Sequence, residues 1–504
     1  MMAFLKRGTA AALVLSSTSH GAFADLAAQD VWSNWRSYLS AAGYQITANE
    51  QMSGDTLTVS DLSMALQIPE EQGTVSMLLD QLVFIENGDG TVNVTMPPRM
   101  PITFAMDDGE DEVTAVLGLT QSGASMVVSG APSDMTYDYT AARLGMGLDS
   151  LTVEGDTVPP EVARMTVSLS DVNSSTRMQM SDKRSYEQGM TASKLTYDMA
   201  FDDPDSEDAG VFSGSLQKLG FKGSGTMPLT MDTSDVQQML KAGFGFDGTF
   251  TYGSGKGEMS GTGDGEKFAM STASRGGTLG VAMDAAHLSY DVSQQQSEIT
   301  LQTSDVPFPI AIAMQKMAFA LDMPIAKSDE EQPFAFGLTL ADFTMPEQLW
   351  GIFDPGAILP RDPATIIVDL AGKVRVLADL MDPAIAENLN QAPGELNALT
   401  INDLKVSAVG AELTGTGDFT FDNSDLVSFG GMPAPAGKAS LTLAGANGLI
   451  DKLIQMGVIS DQDATGARMM MGMVAVPGDG PDTLKSDVEI NDQGQIMANG
   501  QRLK

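Results

Sequence analysis

Cysteine is absent from the 504 residues, and histidine (2) and tryptophan (3) are scarce. The absence of cysteine excludes disulfides, thiolate metal sites, iron–sulfur clusters and cysteine nucleophiles. Two histidines leave little capacity for histidine-based catalysis or histidine-rich metal sites. Basic residues are also few, with 28 Lys and Arg against 66 Asp and Glu, which makes the net charge −38. We expect no nucleic-acid partner, because phosphate contacts dominate such binding and an acidic chain repels them.

Secretory targeting is indicated by the first 24 residues. Lys6 and Arg7 precede a short apolar run at 8–15, and Ala22-Phe23-Ala24 matches the A-x-A cleavage pattern of signal peptides. The run is shorter than the ~20 apolar residues that a membrane span needs, although an uncleaved anchor is the alternative interpretation. We predict a signal peptide at 1–24, cleavage after Ala24, a periplasmic location and no transmembrane span in the mature chain. Cleavage removes Lys6 and Arg7, which moves the net charge from −38 to −40, and it leaves His287 as the one histidine.

Alternation of apolar and polar residues with period two dominates the rest of the chain. Examples are the runs at 56–60, 91–96, 164–170 and 439–443, and the sequence Asn-Gly-Asp-Gly at 87–90 is typical of a hairpin turn. Such alternation indicates antiparallel sheet with one buried and one solvated face. We therefore predict a mainly β fold with long antiparallel strands in one or two large curved sheets.

Helical periodicity is confined to a few segments. An amphipathic helix is predicted at 28–42, before Gly43, and it carries Trp32 and Trp35. We interpret the two tryptophans as anchors that dock this helix on a sheet, the alternative being part of a ligand site. A short helix is also predicted at 234–242.

A second short helix is predicted at 346–353, because Thr344 and Glu347 have the spacing of a capping box. A C-terminal helical pair follows from an apolar face at 449–454 and from Ser460, a suitable cap for the next helix. That last helix carries Met469, Met470, Met471 and Met473. We interpret these methionines as a gap-filling core, and the alternative is an adaptable apolar surface for a lipid or a partner.

The predicted organisation has five parts, with boundaries at Gly-rich, Pro-rich or acidic breaks. They are a signal peptide at 1–24, an amphipathic helix at 25–45, an N-terminal antiparallel β region at 46–232, a second β region at 233–438, and a C-terminal strand, helical pair and closing strands at 439–504. The second β region contains the short helix near 346–353.

No constellation of residues in the sequence indicates catalysis. Ser215–Lys218 fits S-x-x-K without its companion motifs, and the glycine pattern at 243–248 stands in the wrong context for a dinucleotide site. Acidic loops at 87–90, 107–112 and 263–266 offer clustered oxygens for calcium, but none has the order of an EF-hand. The lone His287 is interpreted as a surface or structural histidine. We assign no catalytic, cofactor-binding or metal-binding residue and expect no cofactor.

Several segments resemble known envelope families. The segments at 349–355, 358–364, 447–453, 466–473 and 498–503, together with the secretory start and the tryptophan helix, resemble the uncharacterised alphaproteobacterial family known as domain of unknown function 2125. That resemblance covers most of the mature chain and implies an envelope protein of unknown activity. The strand–Gly–strand pattern at 399–422 is more loosely similar to AsmA-like envelope proteins, which implies long curved sheets with an apolar groove and, in some members, lipid handling. We expect the mature chain to keep no membrane anchor, which would be a departure from those proteins.

These observations favour a non-enzymatic periplasmic envelope protein that binds a hydrophobic ligand or lipid in a β groove. Its expected partner is such a ligand or an unknown envelope protein. The alternative is a structural or interaction protein stabilised by calcium. A hydrolase based on Asp and Glu ranks last, because nothing in the sequence selects a carboxylate pair among 66 acidic residues.

Overall fold

A computed structural model describes residues 25–503, apart from 69–72, 108–111, 204–205, 231–234, 383–384 and 386–392. Strands make up 64% of it and helices 11%, and the described strands join in one antiparallel sheet. The predicted mainly β fold with long antiparallel strands is therefore confirmed. The expected signal peptide at 1–24 lies outside the described residues and stays a prediction.

The N-terminal part consists of one helix followed by a meander of strands. The helix α1 spans Ala28–Ala41. The strands are β1 (Gln45–Ser53), β2 (Thr56–Ile68), β3 (Gly73–Glu86), β4 (Val92–Thr95), β5 (Arg99–Asp107), β6 (Glu112–Ser122), β7 (Ser125–Ala131), β8 (Asp134–Val153), β9 (Asp156–Val158), β10 (Ala163–Met180), β11 (Arg184–Asp202) and β12 (Ala209–Met227). The short strands β4 and β5 lie along two halves of β3, and β6 and β7 lie along two halves of β8.

The central part repeats this arrangement and then continues as a simple meander. Its helices are α2 (Val236–Lys241) and α3 (Glu347–Phe353). Its strands are β13 (Gly245–Tyr252), β14 (Ser254–Gly263), β15 (Glu266–Ser274), β16 (Gly277–Met283), β17 (His287–Thr303), β18 (Ile310–Pro324), β19 (Gln332–Phe343) and β20 (Ala364–Val376). The strands β13 and β14 share the edge of β12, and β15 and β16 share the edge of β17.

The C-terminal part ends the sheet and carries a helical pair. Its strands are β21 (Gly394–Ala408), β22 (Ala411–Asp422), β23 (Ala434–Ala444), β24 (Val476–Pro477), β25 (Thr483–Ile490), β26 (Ile496–Ala498) and β27 (Gln501–Arg502). The helices α4 (Ala446–Gln455) and α5 (Asp461–Val474) lie between β23 and β24. The predicted N-terminal helix and C-terminal helical pair are confirmed.

The helix caps agree with the sequence in one case and correct it in another. Ser460 caps α5, because its hydroxyl accepts a hydrogen bond from the Asp463 backbone amide at 3.2 Å. The capping box expected from Thr344 and Glu347 is wrong, since α3 begins after Pro346 without a side-chain cap. Thr344 instead pairs through its backbone with Ala313 and so extends the sheet.

A sealed hydrophobic core lies where α1 packs on the first strands. Trp32 is almost fully buried and lies 6.1 Å from the ring of Phe84, and Trp35 lies 5.6 Å from the same ring. Leu57 and Val59 of β2 complete the centre of this cluster. The two tryptophans are therefore anchors of a docked helix, as the sequence predicted.

Candidate functional site

Apolar side chains form continuous rows on one face of the sheet. Paired residues of an antiparallel ladder point to the same face, so a row can be followed from strand to strand. The first row crosses β11 to β23 and consists of Met190, Phe221, Phe250, Leu279, Val292, Phe319, Leu338, Val368, Leu404, Gly415 and Leu441. With about 4.8 Å between neighbouring strands, this row runs roughly 48 Å along the sheet.

Two further rows widen this apolar face. One consists of Met165, Met199, Phe212, Met259, Met270, Leu301 and Ile310. The other consists of Met317, Leu340, Ile366, Val406, Leu413, Leu443 and Leu484. We call the surface formed by the three rows the apolar trough.

A crease crosses the sheet at one level of successive strands. Asp61, Asp171, Lys218 and Gln296 adopt positive φ angles in the middle of β2, β10, β12 and β17, and Asp342 does so one residue before the end of β19. The five angles lie between 46° and 55°. A non-glycine residue in this conformation interrupts the alternation of side chains and bends the strand. The junctions between β4 and β5, β6 and β7, β13 and β14, and β15 and β16 fall at the same level.

The apolar trough lies on the inside of this crease. Ala141, Val172, Ala192 and Leu219 stand at the crease on the apolar face, and each is at most 4% exposed. Apolar residues from both sides of the crease pack on them: Tyr139, Met190 and Phe250 on one side, Leu144, Leu169, Leu195 and Leu216 on the other. The principal helix contacts of the sheet lie elsewhere, between α1 and β1, β2 and β3, and between α4 and β22. The fold of the sheet itself therefore buries the four residues at the crease.

Most of the trough is open to solvent. Leu279, Tyr290, Met317, Ile366 and Val406 point to the apolar face and are 37–39% exposed. Residues of a sealed core are close-packed and fully buried, as they are beneath α1. The apolar faces of the strands are thus sealed at the N-terminal end of the sheet and open over β13–β23.

The total accessible surface of the chain supports an open architecture. It amounts to 29591 Å², whereas a compact monomer of 53.0 kDa has roughly 18,000 Å². This excess agrees with the apolar side chains that are exposed along the sheet.

A buried arginine lies where the sealed core meets the trough. Arg184, the first residue of β11, is 1% exposed, and its Nε and Nη1 atoms have no hydrogen-bond partner. Its Nη2 lies 3.4 Å from Ser37 Oγ, and its guanidinium lies 5.2 Å from the ring centre of Tyr38 in α1. Burial lowers the pKa of Arg184, and within the described part of the chain no carboxylate pairs with it.

The opposite face of the sheet carries the charge. Asp138, Asp247, Asp291, Asp369 and Asp418 point to this polar face, since their neighbours along each strand belong to the apolar one. A concavity of about 690 Å³ lies mainly on the polar face between β8 and β13. Its lining combines Thr, Ser, Asn and Gly residues, one Asp and one Lys with Tyr139, Met190 and Phe221, and the last two belong to the first apolar row.

The residues that the sequence analysis considered for chemistry do not converge. His287 is partly exposed, and its Nδ1 lies 3.4 Å from Asp322 Oδ1 on the neighbouring strand. Ser215–Lys218 lies within β12 and ends at the crease residue Lys218. Among the described residues, no group of three or more His, Asp or Glu side chains is arranged to hold a metal ion.

The three acidic loops that could offer oxygens to calcium differ in their structure and in how far they are described. In the 87–90 turn, Asp89 accepts hydrogen bonds from the Thr91 hydroxyl at 2.6 Å and from the Thr91 amide at 3.0 Å, which lowers the pKa of Asp89. The 263–266 turn joins β14 and β15. Of the 107–112 loop, residues 108–111 lie outside the described part.

The methionines of α5 correct the sequence interpretation. Met469, Met470 and Met473 are 66%, 64% and 57% exposed, so they do not fill a core. The residue that α5 buries is Ala464, which is fully inaccessible. Met471, seven residues after Ala464 and on the same side of the helix, is partly buried, so the core interpretation is wrong for the three exposed methionines and not for Met471.

Comparison with known proteins identifies the family of this chain. No curated protein and no solved structure matches the chain significantly. No helix of the described residues is long and apolar enough to cross a membrane. The sequence profile of a family described as "Uncharacterized protein conserved in bacteria (DUF2125)" matches residues 240–501, which include α3 to α5 and most of the open trough. Since that match covers just over half of the chain, the protein belongs to the DUF2125 family of uncharacterised bacterial proteins.

Proposed function

We propose that this chain is a non-enzymatic, periplasmic envelope protein that binds the hydrocarbon chains of lipids in the apolar trough. The observation that carries the proposal is the exposure of the apolar face over β13–β23. Contiguous apolar surface of this extent is unusual in soluble proteins and is typical of interaction or ligand sites. The signal-like sequence at 1–24 supports export.

The chemistry of the trough suits acyl chains. Its lining is Leu, Ile, Val, Phe and Met, which provide dispersion contacts and release water without directional hydrogen bonds. The first row extends roughly 48 Å, about three times the ~15 Å that the chains of one bilayer leaflet span. The trough therefore has room for more than one acyl chain.

The charge distribution agrees with this ligand. The carboxylates of Asp138, Asp247, Asp291, Asp369 and Asp418 lie on the polar face, away from a chain bound in the trough. We also propose that the chain is of alphaproteobacterial origin and that it is similar to AsmA-like envelope proteins. The segment at 399–422 with the AsmA-like pattern forms the hairpin of β21 and β22, which contributes Leu404, Val406 and Leu413 to the trough.

Native mass spectrometry with variants of each face tests the proposal. The purified protein is incubated with a fatty acid and with a phospholipid below its vesicle-forming concentration, and bound lipid is counted. Replacing Leu279, Met317 and Ile366 with Glu places three charges in the trough, and we expect at least a tenfold loss of bound lipid.

A matched variant controls for added charge. Thr249, Ser271 and Gln302 are exposed on the polar face, and their replacement with Glu adds the same charge outside the trough. This variant is expected to bind lipid like the unmodified chain. Equal binding by both triple variants, or no binding by the unmodified chain, contradicts the proposal.

A further inference from the structure

The outer face of α5 is an apolar surface that no other part of the described chain covers. Met473 follows Ala464 by nine residues, or 2.5 helical turns, and so points to the opposite side of the helix. Met469 lies one turn before Met473, and Met470 borders the same side. Ala464 is fully buried, whereas the three methionines are 57–66% exposed. We call Met469, Met470 and Met473 the methionine stripe.

This part of the chain is free of acidic residues. Residues 464–478 contain no Asp or Glu, although the chain as a whole has 66. The one charged residue of the segment is Arg468, and its Nη2 lies 2.6 Å from Asp451 Oδ1 on α4. The stripe therefore presents an apolar surface without charge, in contrast to the polar face of the sheet.

The stripe stands at the C-terminal end of the trough. The last residue of α5, Val474, accepts a hydrogen bond at 2.6 Å from the hydroxyl of Ser486 in β25. Ser486 pairs with Leu441, which ends the first apolar row. The helix is thus fixed to the strand that follows the open part of the trough.

We propose that the methionine stripe docks this end of the protein on the surface of a lipid bilayer. Methionine side chains adapt to irregular apolar surroundings, and an amphipathic helix with an uncharged apolar side inserts shallowly into the boundary between headgroups and acyl chains. Since the chain has a net charge of −38, docking is favoured on zwitterionic rather than anionic lipid.

The size of the stripe distinguishes a bilayer from a second copy of the chain. Three methionines at this exposure offer on the order of 400 Å², whereas a stable protein interface buries about 800 Å² on each partner. A bilayer imposes no such requirement, because the helix itself is the unit that inserts. The inference goes beyond lipid binding in the trough, and a protein that lacks trough binding can still dock.

Vesicle flotation with isosteric variants tests this inference. Replacing Met469, Met470 and Met473 with Gln keeps side-chain length and helix propensity but makes the stripe polar. The matched control replaces the same three residues with Leu, which keeps the stripe apolar. On phosphatidylcholine vesicles we expect the Gln variant to lose at least tenfold in bound fraction and the Leu variant to bind like the unmodified chain. Vesicles with added phosphatidylglycerol are expected to bind the unmodified chain less well.

Two companion measurements separate the possible outcomes. Native mass spectrometry of the Gln variant with a monomeric fatty acid is expected to show unchanged loading, so that docking and trough binding fail independently. Light scattering is expected to give the same molecular mass for the unmodified chain and for the Gln variant. The inference is overturned when the unmodified chain does not float, when the Gln variant floats equally well, or when the stripe instead controls dimerisation.

Discussion

Replacing Arg184 with Met is predicted to stabilise the docking of α1. The guanidinium is 1% exposed, its Nε and Nη1 donors have no partner, and Nη2 makes one long contact of 3.4 Å to Ser37 Oγ. The guanidinium stays protonated at every accessible pH, so its desolvation opposes folding under all ordinary conditions. A methionine can occupy the path of the arginine stem, next to Met180 and Met227 in the paired strands.

The expected magnitude follows from the contacts of Arg184. An uncompensated buried charge costs several kcal/mol, and replacing buried ionic groups with apolar residues commonly stabilises by about 1–4 kcal/mol. Against this stands the loss of the cation–π contact with Tyr38 at 5.2 Å, worth about 0.5–2 kcal/mol. The difference between the midpoints of these two ranges is a net gain of about 1 kcal/mol.

Hydrogen exchange of α1 is the appropriate assay, because a long sheet need not unfold in one step. A gain of about 1 kcal/mol raises the protection of the amides at 28–41 roughly fivefold where they exchange through undocking of the helix. Arg177→Met is the matched control, since Arg177 is half exposed and bonds Asp134 at 2.6 Å. This control is expected to change protection by less than about twofold.

The opposite result would refute the reasoning. When Arg184→Met folds but lowers the protection of α1, the guanidinium contributes favourable interactions that its geometry does not show. A gain of equal size for Arg177→Met would mean that the effect comes from removing positive charge in general rather than from burial.

Three further predictions concern the sealed core, the α3 loop and the crease. Trp32→Ala removes a buried ring beneath α1 and is expected to cost about 3–5 kcal/mol, seen as loss of α1 amide protection; no loss contradicts the docking of this helix. Burial alone would raise the pKa of Asp354, but hydrogen bonds from the Ile358 and Leu359 amides and from Arg361 outweigh it and hold the pKa below its ordinary value. The carboxylate of Asp354 therefore contributes fully to the free energy of unfolding above the ordinary carboxyl pKa, about 3.9, and this contribution is lost as the pH falls through the lower pKa of the folded state. The melting temperature of Asp354→Asn should accordingly lie below that of the unmodified chain by an amount that shrinks toward pH 3. A difference that stays constant with pH would contradict this. Asp171→Val forces a β-branched residue into φ 51° and should cost about 1–2 kcal/mol in thermal melts, whereas Asp171→Gly should be nearly neutral; equal stability of the two would place the bend elsewhere.

The architecture was predictable from the sequence because its determinants are local. Alternation with period two specified antiparallel strands, and the tryptophan stripe specified the docked α1. The Ser460 cap and the apolar face at 449–454 located the C-terminal helices. In each case the deciding interactions lie within a few residues along the chain.

The crease was missed because a single residue with positive φ breaks a strand without a glycine or proline signal. A recurring pattern marks three of the five positions, namely a small residue and Asp between two apolar residues at Ser60-Asp61, Ser170-Asp171 and Ala341-Asp342. Asp tolerates the left-handed region better than most residues, so this pattern is a usable signal.

The openness of the trough was not predictable from alternation. A period of two shows that one face is apolar, but it does not show whether a second layer covers that face. Cover depends on where the helices dock, and α1 and α4 lie at the two ends of the sheet. The exposed methionines of α5 were misread for the same reason, since an apolar helix residue is buried only when something packs on it.

Photo-crosslinking tests the central claim most directly. A fatty acid with a diazirine on its chain is bound to the full protein and activated, and the labelled residues are located by peptide mass spectrometry. The account predicts labels on residues of the three apolar rows, such as Leu279, Phe319 and Leu338, and none on polar-face neighbours such as Thr278 and Thr339. Labels spread equally over both faces, or confined to the sealed core beneath α1, would contradict it.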